Sequence, residues 1–166
     1  MGKLDGKIAW VTGAGSGIGE AAALALAEEG ATVILTGRRR EPLEDVARRI
    51  GDRAHVQPAD LTVSAQVQKV GDYIRKTFNR LDILINNAGV NILERHWANL
   101  TPEGIDTLVH GNLSSALYCI TVALPFMRAQ QDDAGEDRID PQRGIGDVGG
   151  VAAEDDEGGM SDVDDV

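Results

Sequence analysis

The chain has 166 residues, of which 42% are hydrophobic and only 4% aromatic, so its length and composition favour one globular domain with an aliphatic core. Its net charge of −11 arises in residues 132–166, which hold 13 acidic and two basic side chains, whereas residues 1–131 hold 14 of each. We expect no nucleic-acid partner and no membrane partner. The neutral balance of residues 1–131 is itself uninformative about nucleic acid, and no apolar stretch approaches the roughly 18 residues of a membrane span. The single Cys119 excludes an internal disulfide and fits a cytoplasmic location.

The first 130 residues alternate short β-rich runs with helical patterns, which predicts a parallel α/β sheet with flanking helices. Strands are expected at residues 7–11, 32–36, 54–58 and 83–86, and amphipathic helices follow the first three of them. The fourth strand is an almost continuous apolar run, of the kind that is buried on both faces.

Two helical signals follow the fourth strand. Thr101 is a predicted N-cap, with Pro102 at the first helical position. A stretch rich in Leu, Ile and Ala then predicts a helix over residues 112–128, and Pro125 is expected to bend or interrupt its last turns.

Residues 132–166 differ in character from everything before them, and we treat them as a separate acidic tail. They contain no aromatic residue, no Leu and no Lys, so they have too little apolar area to offset the entropy of ordering, and we expect disorder. Asp, Glu, Gly, Ala and Val, whose codons all begin with G, make up 27 of these 35 residues. This composition favours translation in a shifted reading frame, which the other two frames of the gene would test; a genuine acidic interaction tail is the alternative.

The strongest chemical signal is the segment Thr12-Gly13-Ala14-Gly15-Ser16-Gly17-Ile18-Gly19, between the first strand and its helix. Glycines there lack the β-carbons that would block a pyrophosphate from the backbone, and the N–H groups of the following helix point at the phosphates. A tight turn without any ligand also fits this spacing. The tail segment at residues 144–149 matches the G-x-G-x-x-G pattern too, but it has no strand before it and no helix after it.

Three further segments occur in order after the glycine turn: Asp60-Leu61 after the third strand, Asn86-Asn87-Ala88-Gly89 after the fourth, and Asn112 within Gly-Asn-Leu-Ser-Ser-Ala-Leu. Together with the turn, they resemble the classical short-chain dehydrogenase/reductase family over about residues 1–130. The resemblance implies a Rossmann fold, here with sheet order 3-2-1-4, that binds a nicotinamide dinucleotide. Residues 1–131 are therefore predicted to be a dinucleotide-binding module.

The resemblance also implies roles for individual residues. Those expected to line the pyrophosphate are Gly13, Ser16, Gly17, Ile18 and Gly19. Those expected at the adenine are Asp60 and Leu61, and those expected near the adenosine ribose and the turn toward the nicotinamide are Asn87, Ala88 and Gly89.

The end of the second strand bears on the choice between NAD and NADP. An acidic residue there would accept hydrogen bonds from the ribose 2′-hydroxyl, but the sequence reads Thr36-Gly37-Arg38-Arg39-Arg40. Arg38 or Arg39 could hold a 2′-phosphate with its fork of donors, so NADP is the favoured cofactor and NAD the alternative.

The catalytic residues of the family are the main departure. Its members carry a Ser and a Tyr-x-x-x-Lys beyond the long helix, where the Tyr is the general acid and base. In this sequence the last Lys is Lys76, and the only later Tyr, Tyr118, lies inside the same helix as Asn112. Of the family's catalytic tetrad of Asn, Ser, Tyr and Lys, only Asn112 is thus present. We therefore expect that an intact parent enzyme would interconvert a carbonyl and an alcohol, and that this chain by itself is inactive.

Two functional hypotheses remain open. The chain is a part of an NADP-preferring oxidoreductase, or it is a catalytically silent NADP(H)-binding or partner-binding module with an acidic tail. In the family, the helix at residues 112–128 often builds a subunit interface, so a homo-oligomer through this helix is expected. Without the fifth strand of the family, the fourth strand would be an exposed apolar edge of the sheet.

Overall fold

The computed structural model describes residues 2–93 and 96–134. Residues 132–134, predicted as the start of the acidic tail, belong to the last turn of a helix, and residues 135–166 lie outside the described part. The described part is one parallel sheet covered by helices on both faces. Its strands are β1 (Ile8–Thr12), β2 (Thr32–Thr36), β3 (Ala54–Val56) and β4 (Ile83–Ile85). Its helices are α1 (Gly17–Glu28), α2 (Arg40–Ile50), α3 (Ser64–Phe78), α4 (Pro102–Val109) and α5 (Ser115–Ala134).

The strand order is β3-β2-β1-β4 with all pairs parallel, which confirms the predicted Rossmann topology. Strand β1 is central: Trp10 lies beside Ile34 of β2 and Leu84 of β4. Because side chains alternate across a strand, Ile8 and Trp10 enter one core and Ala9 and Val11 the other. Helices α3 and α5 complete the first core, and α1 and α2 the second.

Two of the predicted strands need correction. Strands β3 and β4 end at Val56 and Ile85, earlier than the predicted ends at residues 58 and 86, because their pairing with β2 and β1 stops at these residues. All three residues of β4 are only half-buried, since this strand has a neighbour on one side only within the described residues. The side chains of β4 nevertheless pack on both faces of the sheet, Leu84 against one core and Ile83 and Ile85 against the other, so the partial exposure belongs to the sheet edge expected for this strand.

The helical stretch predicted for residues 112–128 is part of a longer helical segment. Helix α4 leads into α5 through one π-helical turn, His110–Ser114, and α5 continues past Pro125. The Thr101 cap is confirmed: its hydroxyl accepts a hydrogen bond from the backbone N–H of Gly104 at 3.1 Å.

This continuity corrects the expectation that no stretch is long enough to span a membrane. The helical segment Pro102–Gln130 is long and apolar enough by length and composition alone, with a mean hydropathy of 1.3 and 28% burial in its most apolar window. A core helix of a soluble protein meets the same criterion.

Asp82, just before β4, ties the amino-terminal edge of the sheet together. Its carboxylate accepts hydrogen bonds from the backbone N–H of Ile8 at 2.8 Å and from the Arg80 guanidinium at 2.5 and 3.0 Å. Lys7 pairs with it at 3.3 Å, and the Gln130 amide of α5 contacts it at 3.4 Å. Burial acts to raise the pKa of Asp82, but the hydrogen bonds from Arg80, Ile8 and Lys7 outweigh it and hold the pKa below its usual value.

We expect Asp82→Ala to lower the free energy of unfolding by about 1–3 kcal/mol, because it leaves the backbone N–H of Ile8 without its acceptor. Asp45→Ala is the matched control: it removes an exposed pair with Arg48, worth at most about 0.5 kcal/mol. The measurement is urea unfolding followed by circular dichroism.

The depressed pKa of Asp82 also predicts how the stability difference between the wild-type chain and Asp82→Ala depends on pH. A carboxyl whose folded pKa is depressed stabilises the fold fully above the pKa of an unfolded aspartate, about 3.9, and loses this contribution as the pH falls through the folded value. The difference between the wild-type chain and Asp82→Ala should therefore shrink below about pH 4. A difference that stays constant to pH 2 would contradict the assignment.

Candidate functional site

The site lies at the carboxyl edge of the sheet, where the chain leaves β1 and β4 in diverging directions. In a parallel α/β sheet, the crevice at such a reversal of strand order is the usual ligand position. A cavity of about 600 Å³ opens there, bounded by the loops after all four strands and by α4 with its π-turn. A second cavity of about 390 Å³ lies beside the glycine turn and the start of α2.

Thr12, at the end of β1, joins the two strands that flank the crevice. Its buried hydroxyl accepts hydrogen bonds from the backbone N–H groups of Asn87 and Ala88, both at 3.0 Å, and donates to the carbonyl of Ile85 at 3.1 Å. One donor and two acceptor positions are thus all used. The role of this hydroxyl is not predictable from the local sequence pattern, because its partners lie 73–76 residues away.

Asn87, in the loop after β4, also bonds to the end of β1 and the start of the glycine turn. Its side-chain amide donates to the carbonyls of Thr12 and Gly13 at 3.2 and 3.3 Å. Asn87 is therefore held underneath the glycine turn, and Ala88 and Gly89 line the larger cavity.

The glycines of the turn serve different physical purposes. Gly13 has φ +63°, and a β-carbon on it would lie 2.8 Å from the Asn87 amide nitrogen and 2.9 Å from Cα of Ala88. A β-carbon on Gly19 would lie 2.2 Å from the Gly13 carbonyl oxygen. These two glycines are required by the packing of the turn against α1 and the β4 loop. Gly17, with φ +59° and open space around it, is required by backbone conformation instead.

The amino terminus of α1 keeps its first N–H groups unoccupied by a side-chain cap. Ser16 stands at the N-cap position but makes no capping hydrogen bond, unlike Thr101 of α4. Ser16 and Gly17 are exposed, and Ile18 presents 79% of its surface to solvent. The positive end of the helix is therefore available to an anion in the second cavity, which Ser16 lines.

The three consecutive arginines occupy different environments. Arg38 lines both cavities, and Arg39 lines the one beside the glycine turn. Arg40 points elsewhere, since its guanidinium pairs with Glu44 one helical turn on, at 3.3 Å.

Asp60 and Leu61 form the wall of the larger cavity on the β3 side. The hydroxyl and the backbone N–H of Thr62 donate to one carboxylate oxygen of Asp60 at 2.7 and 3.0 Å. These two hydrogen bonds, aided by the charge of Arg38 and opposed by slight desolvation, hold the pKa of Asp60 below its usual value. Asp60 is thus anionic at neutral pH, and Leu61, 6% exposed, presents an apolar surface beside it.

Asn112 lies in the π-turn, and its side chain is fully used in hydrogen bonds. Its oxygen accepts from the backbone N–H of Val90 at 3.1 Å, and its nitrogen donates to the carbonyls of Val90 and Leu108 at 3.0 and 2.9 Å. A β-carbon on Gly89 would lie 2.7 Å from the Asn112 oxygen. Asn112 therefore fixes the segment after β4 to the helix.

The other candidate reactive groups lie away from the crevice. Tyr73 donates to or accepts from the ring nitrogen Nδ1 of His55 at 2.8 Å, between α3 and β3. Burial raises the pKa of the Cys119 thiol to about 12, which agrees with an inert core cysteine. Within residues 2–93 and 96–134, no cluster of His, Cys, Asp and Glu could hold a metal ion.

Comparison with known families and proteins gives consistent matches. The family model described as short chain dehydrogenase matches residues 7–136. An uncharacterized oxidoreductase of Staphylococcus aureus strain MW2 is 42% identical over 128 residues, and one of Staphylococcus epidermidis is 33% identical over 130. These alignments cover 76% and 78% of this chain but 55% and 56% of the relatives, so the chain spans about half the length of the curated relatives it matches.

Two solved structures are similar in fold as well as sequence. One is a 3-ketoacyl-(acyl-carrier-protein) reductase from Brucella melitensis complexed with NADH: TM-score 0.76, 32% identity, coverage 80% of this chain and 54% of that one. The other is a metagenomic short-chain oxidoreductase in complex with NADP: TM-score 0.73, 34% identity, coverage 77% and 59%.

We expect Thr12→Val to destabilise the fold by about 2 kcal/mol, because two partly buried N–H groups, of Asn87 and Ala88, lose their acceptor. Thr12→Ser keeps the hydroxyl and should cost no more than about 1 kcal/mol for the lost methyl group. Urea unfolding of both variants measures this. Equal stability of the Val and Ser variants would show that the hydroxyl does not join the strands.

Proposed function

The chain belongs to the short-chain dehydrogenase family, and from this membership we propose that residues 1–131 bind a nicotinamide dinucleotide, with NADP preferred over NAD. The observation that carries the proposal is the crevice itself. A helix terminus without a side-chain cap, the glycine turn, and Arg38 and Arg39 meet in one cavity, and none of its described lining residues is acidic. That donor set fits a phosphate-bearing ligand.

The residues around these two cavities suggest how the ligand is held. The turn from Gly13 to Gly19 faces the pyrophosphate, and the free N–H groups at the start of α1 donate to it. Asp60 and Leu61 lie on the adenosine side, while Ala88 and Gly89 lie toward the ribose and the nicotinamide. Asn87 contributes by fixing the turn, since both its amide hydrogens go to backbone carbonyls.

The preference for NADP is supported by the end of β2. No acidic side chain follows Thr36 until Glu41, so nothing there repels a 2′-phosphate. Arg38 reaches both cavities and is the first candidate to bind that phosphate, with Arg39 as the second.

We expect the purified chain to bind NADPH at least about tenfold more tightly than NADH, as measured by the fluorescence of the reduced cofactor, because charge-assisted hydrogen bonds to a phosphate contribute about 1.5–3 kcal/mol. Arg38→Ala should remove most of this difference. Arg40→Ala is the control, since Arg40 is paired with Glu44 and lines neither cavity. Equal affinity for the two cofactors would overturn the preference, and no binding of either would overturn the function.

The chemistry of the proposed parent enzyme is hydride transfer between the cofactor and a carbonyl or alcohol. The bound dinucleotide would supply the hydride, and a protein group must supply or take the proton on the substrate oxygen. These 166 residues contain no Tyr-x-x-x-Lys, and of the family's tetrad they hold Asn112 alone. We therefore propose that this chain by itself binds cofactor without turning over substrate.

We expect no oxidation of NADPH above the uncatalysed rate with a panel of aldehydes and ketones, since loss of the general acid typically costs about 10²–10⁴-fold. An intact short-chain dehydrogenase under the same conditions is the positive control. Turnover that Arg38→Ala reduces in step with cofactor affinity would show that the chain is an active enzyme.

A second candidate function, a catalytically silent module that pairs with a second copy or an intact relative, is favoured by one observation. Large apolar side chains are exposed along the helical segment at intervals of three or four residues; they are Ile105, Val109, Leu113, Leu117, Ile120 and Leu124. A stripe of this kind is typical of a subunit interface. A chain that sediments as a monomer at micromolar concentration would argue against the pairing.

We propose a cytoplasmic location, supported by the free, buried Cys119.

A further inference from the structure

The two cavities differ in the charge of their lining residues, so they suit different parts of a dinucleotide. The cavity beside the glycine turn is lined by Arg38 and Arg39 and by no carboxylate. The larger cavity is lined by two carboxylates, of Asp60 and Asp106, against the one guanidinium of Arg38. Phosphates are favoured in the first, and the larger cavity favours an uncharged group next to them.

The far wall of the larger cavity is a polar face of α4 and the π-turn. Asp106, Thr107 and His110 line it, and the spacing of three and four residues places them on one side of the helix. The Thr107 hydroxyl donates to the carbonyl of Glu103 at 2.8 Å. Among the described residues, no hydrogen bond or ion pair involves the side chains of Asp106 and His110, although both residues line the cavity.

His110 lines this wall from the first position of the π-turn, where neighbouring contacts hold the backbone. Gly111 packs against Val90 so closely that a β-carbon would lie 2.1 Å from a Val90 methyl carbon, and Asn112 holds both backbone groups of Val90. The buried Ser115 hydroxyl bonds the Gly111 carbonyl at 2.8 Å. The backbone on either side of the His110 ring is therefore fixed, while the ring itself is exposed.

We infer that the imidazole of His110 packs against the adenine base of the bound dinucleotide, opposite the wall formed by Ala59, Asp60 and Leu61. This inference rests on the proposed function. Phosphates at the glycine turn place the adenosine half toward β2 and β3, which is the half of the crevice that Asp60, Leu61 and Arg38 border. A flat, uncharged purine fits between a buried aliphatic side chain and an aromatic ring, whereas a phosphate would meet two carboxylates.

The test uses the full chain and two half-ligands: adenosine diphosphate, which carries the base without the 2′-phosphate, and nicotinamide mononucleotide, which carries none of the adenosine. Dissociation constants for these and for NADPH are measured by calorimetry. The variants are His110→Ala, His110→Gln, which stays polar without a ring, and His110→Phe, which keeps a ring. His96→Ala is the matched control, an exposed histidine that lines neither cavity.

We expect His110→Ala and His110→Gln to weaken adenosine diphosphate and NADPH alike, by about tenfold, as base–aromatic stacking typically does on truncation. His110→Phe and His96→Ala should stay within about twofold, and no variant should change nicotinamide mononucleotide binding. The Phe variant, with a native circular dichroism spectrum, guards against a misfolded Ala variant.

The outcomes separate the two proposals. If the wild-type chain binds NADPH and the Ala and Gln variants bind adenosine diphosphate equally well, the assignment of His110 is wrong and the proposed function stands. Weaker binding of nicotinamide mononucleotide would place His110 at the other half of the ligand and also overturn the assignment. If the wild-type chain binds neither NADPH nor adenosine diphosphate, the proposed function itself fails.

Discussion

The crevice depends on the hydroxyl of Thr12 more than on any other single group. Strands β1 and β4 are neighbours in the sheet, but beyond Thr12 and Ile85 the chain diverges to one side and the other, and the ladder of hydrogen bonds ends. The three hydrogen bonds of Thr12 replace that ladder for one more step and hold the divergent loops at a fixed separation. Within the described residues the Thr12 hydroxyl is the acceptor for the N–H groups of Asn87 and Ala88, and the Asn87 amide adds two bonds in the opposite direction.

The close contact made by Thr12 and Asn87 also explains why positions 13 and 19 of the turn are glycines. The glycine pattern was interpreted from sequence as space for a pyrophosphate, but at Gly13 and Gly19 the space is filled by protein: the Asn87 amide, Ala88 and the Gly13 carbonyl. Only the open positions, such as Gly17, leave room for a ligand. The pattern therefore encodes the packing of three segments first, and a ligand cradle as its consequence.

The sequence was sufficient for the features that are encoded locally. The strand order, the glycine turn and the Thr101 cap follow from short patterns and from the family resemblance, and the structure has them at or near the expected residues. Features that depend on distant contacts were missed. Thr12 acts through residues 73–76 positions away, and the ends of β3 and β4 depend on where neighbouring strands stop pairing.

The π-turn was missed for a related reason. Residues 102–109 and 112–128 have separate helical patterns, and apolar periodicity cannot show that one extra residue per turn joins them into a continuous segment. That extra residue shifts the faces of α5 relative to α4, so that the buried Ser115 and Gly111 meet the core while Asn112 reaches Val90.

The two faces of this helical segment carry different constraints, and the difference bears on function. Its inner face is fixed by Gly71 of α3, where a β-carbon would lie 2.4 Å from a Val122 methyl carbon, and by the bond between Asn112 and Val90. Its outer face, from Ile105 to Leu124, is apolar and exposed. The same helical segment therefore meets two demands at once: its inner contacts hold the cavity wall that carries His110, and its outer face remains exposed.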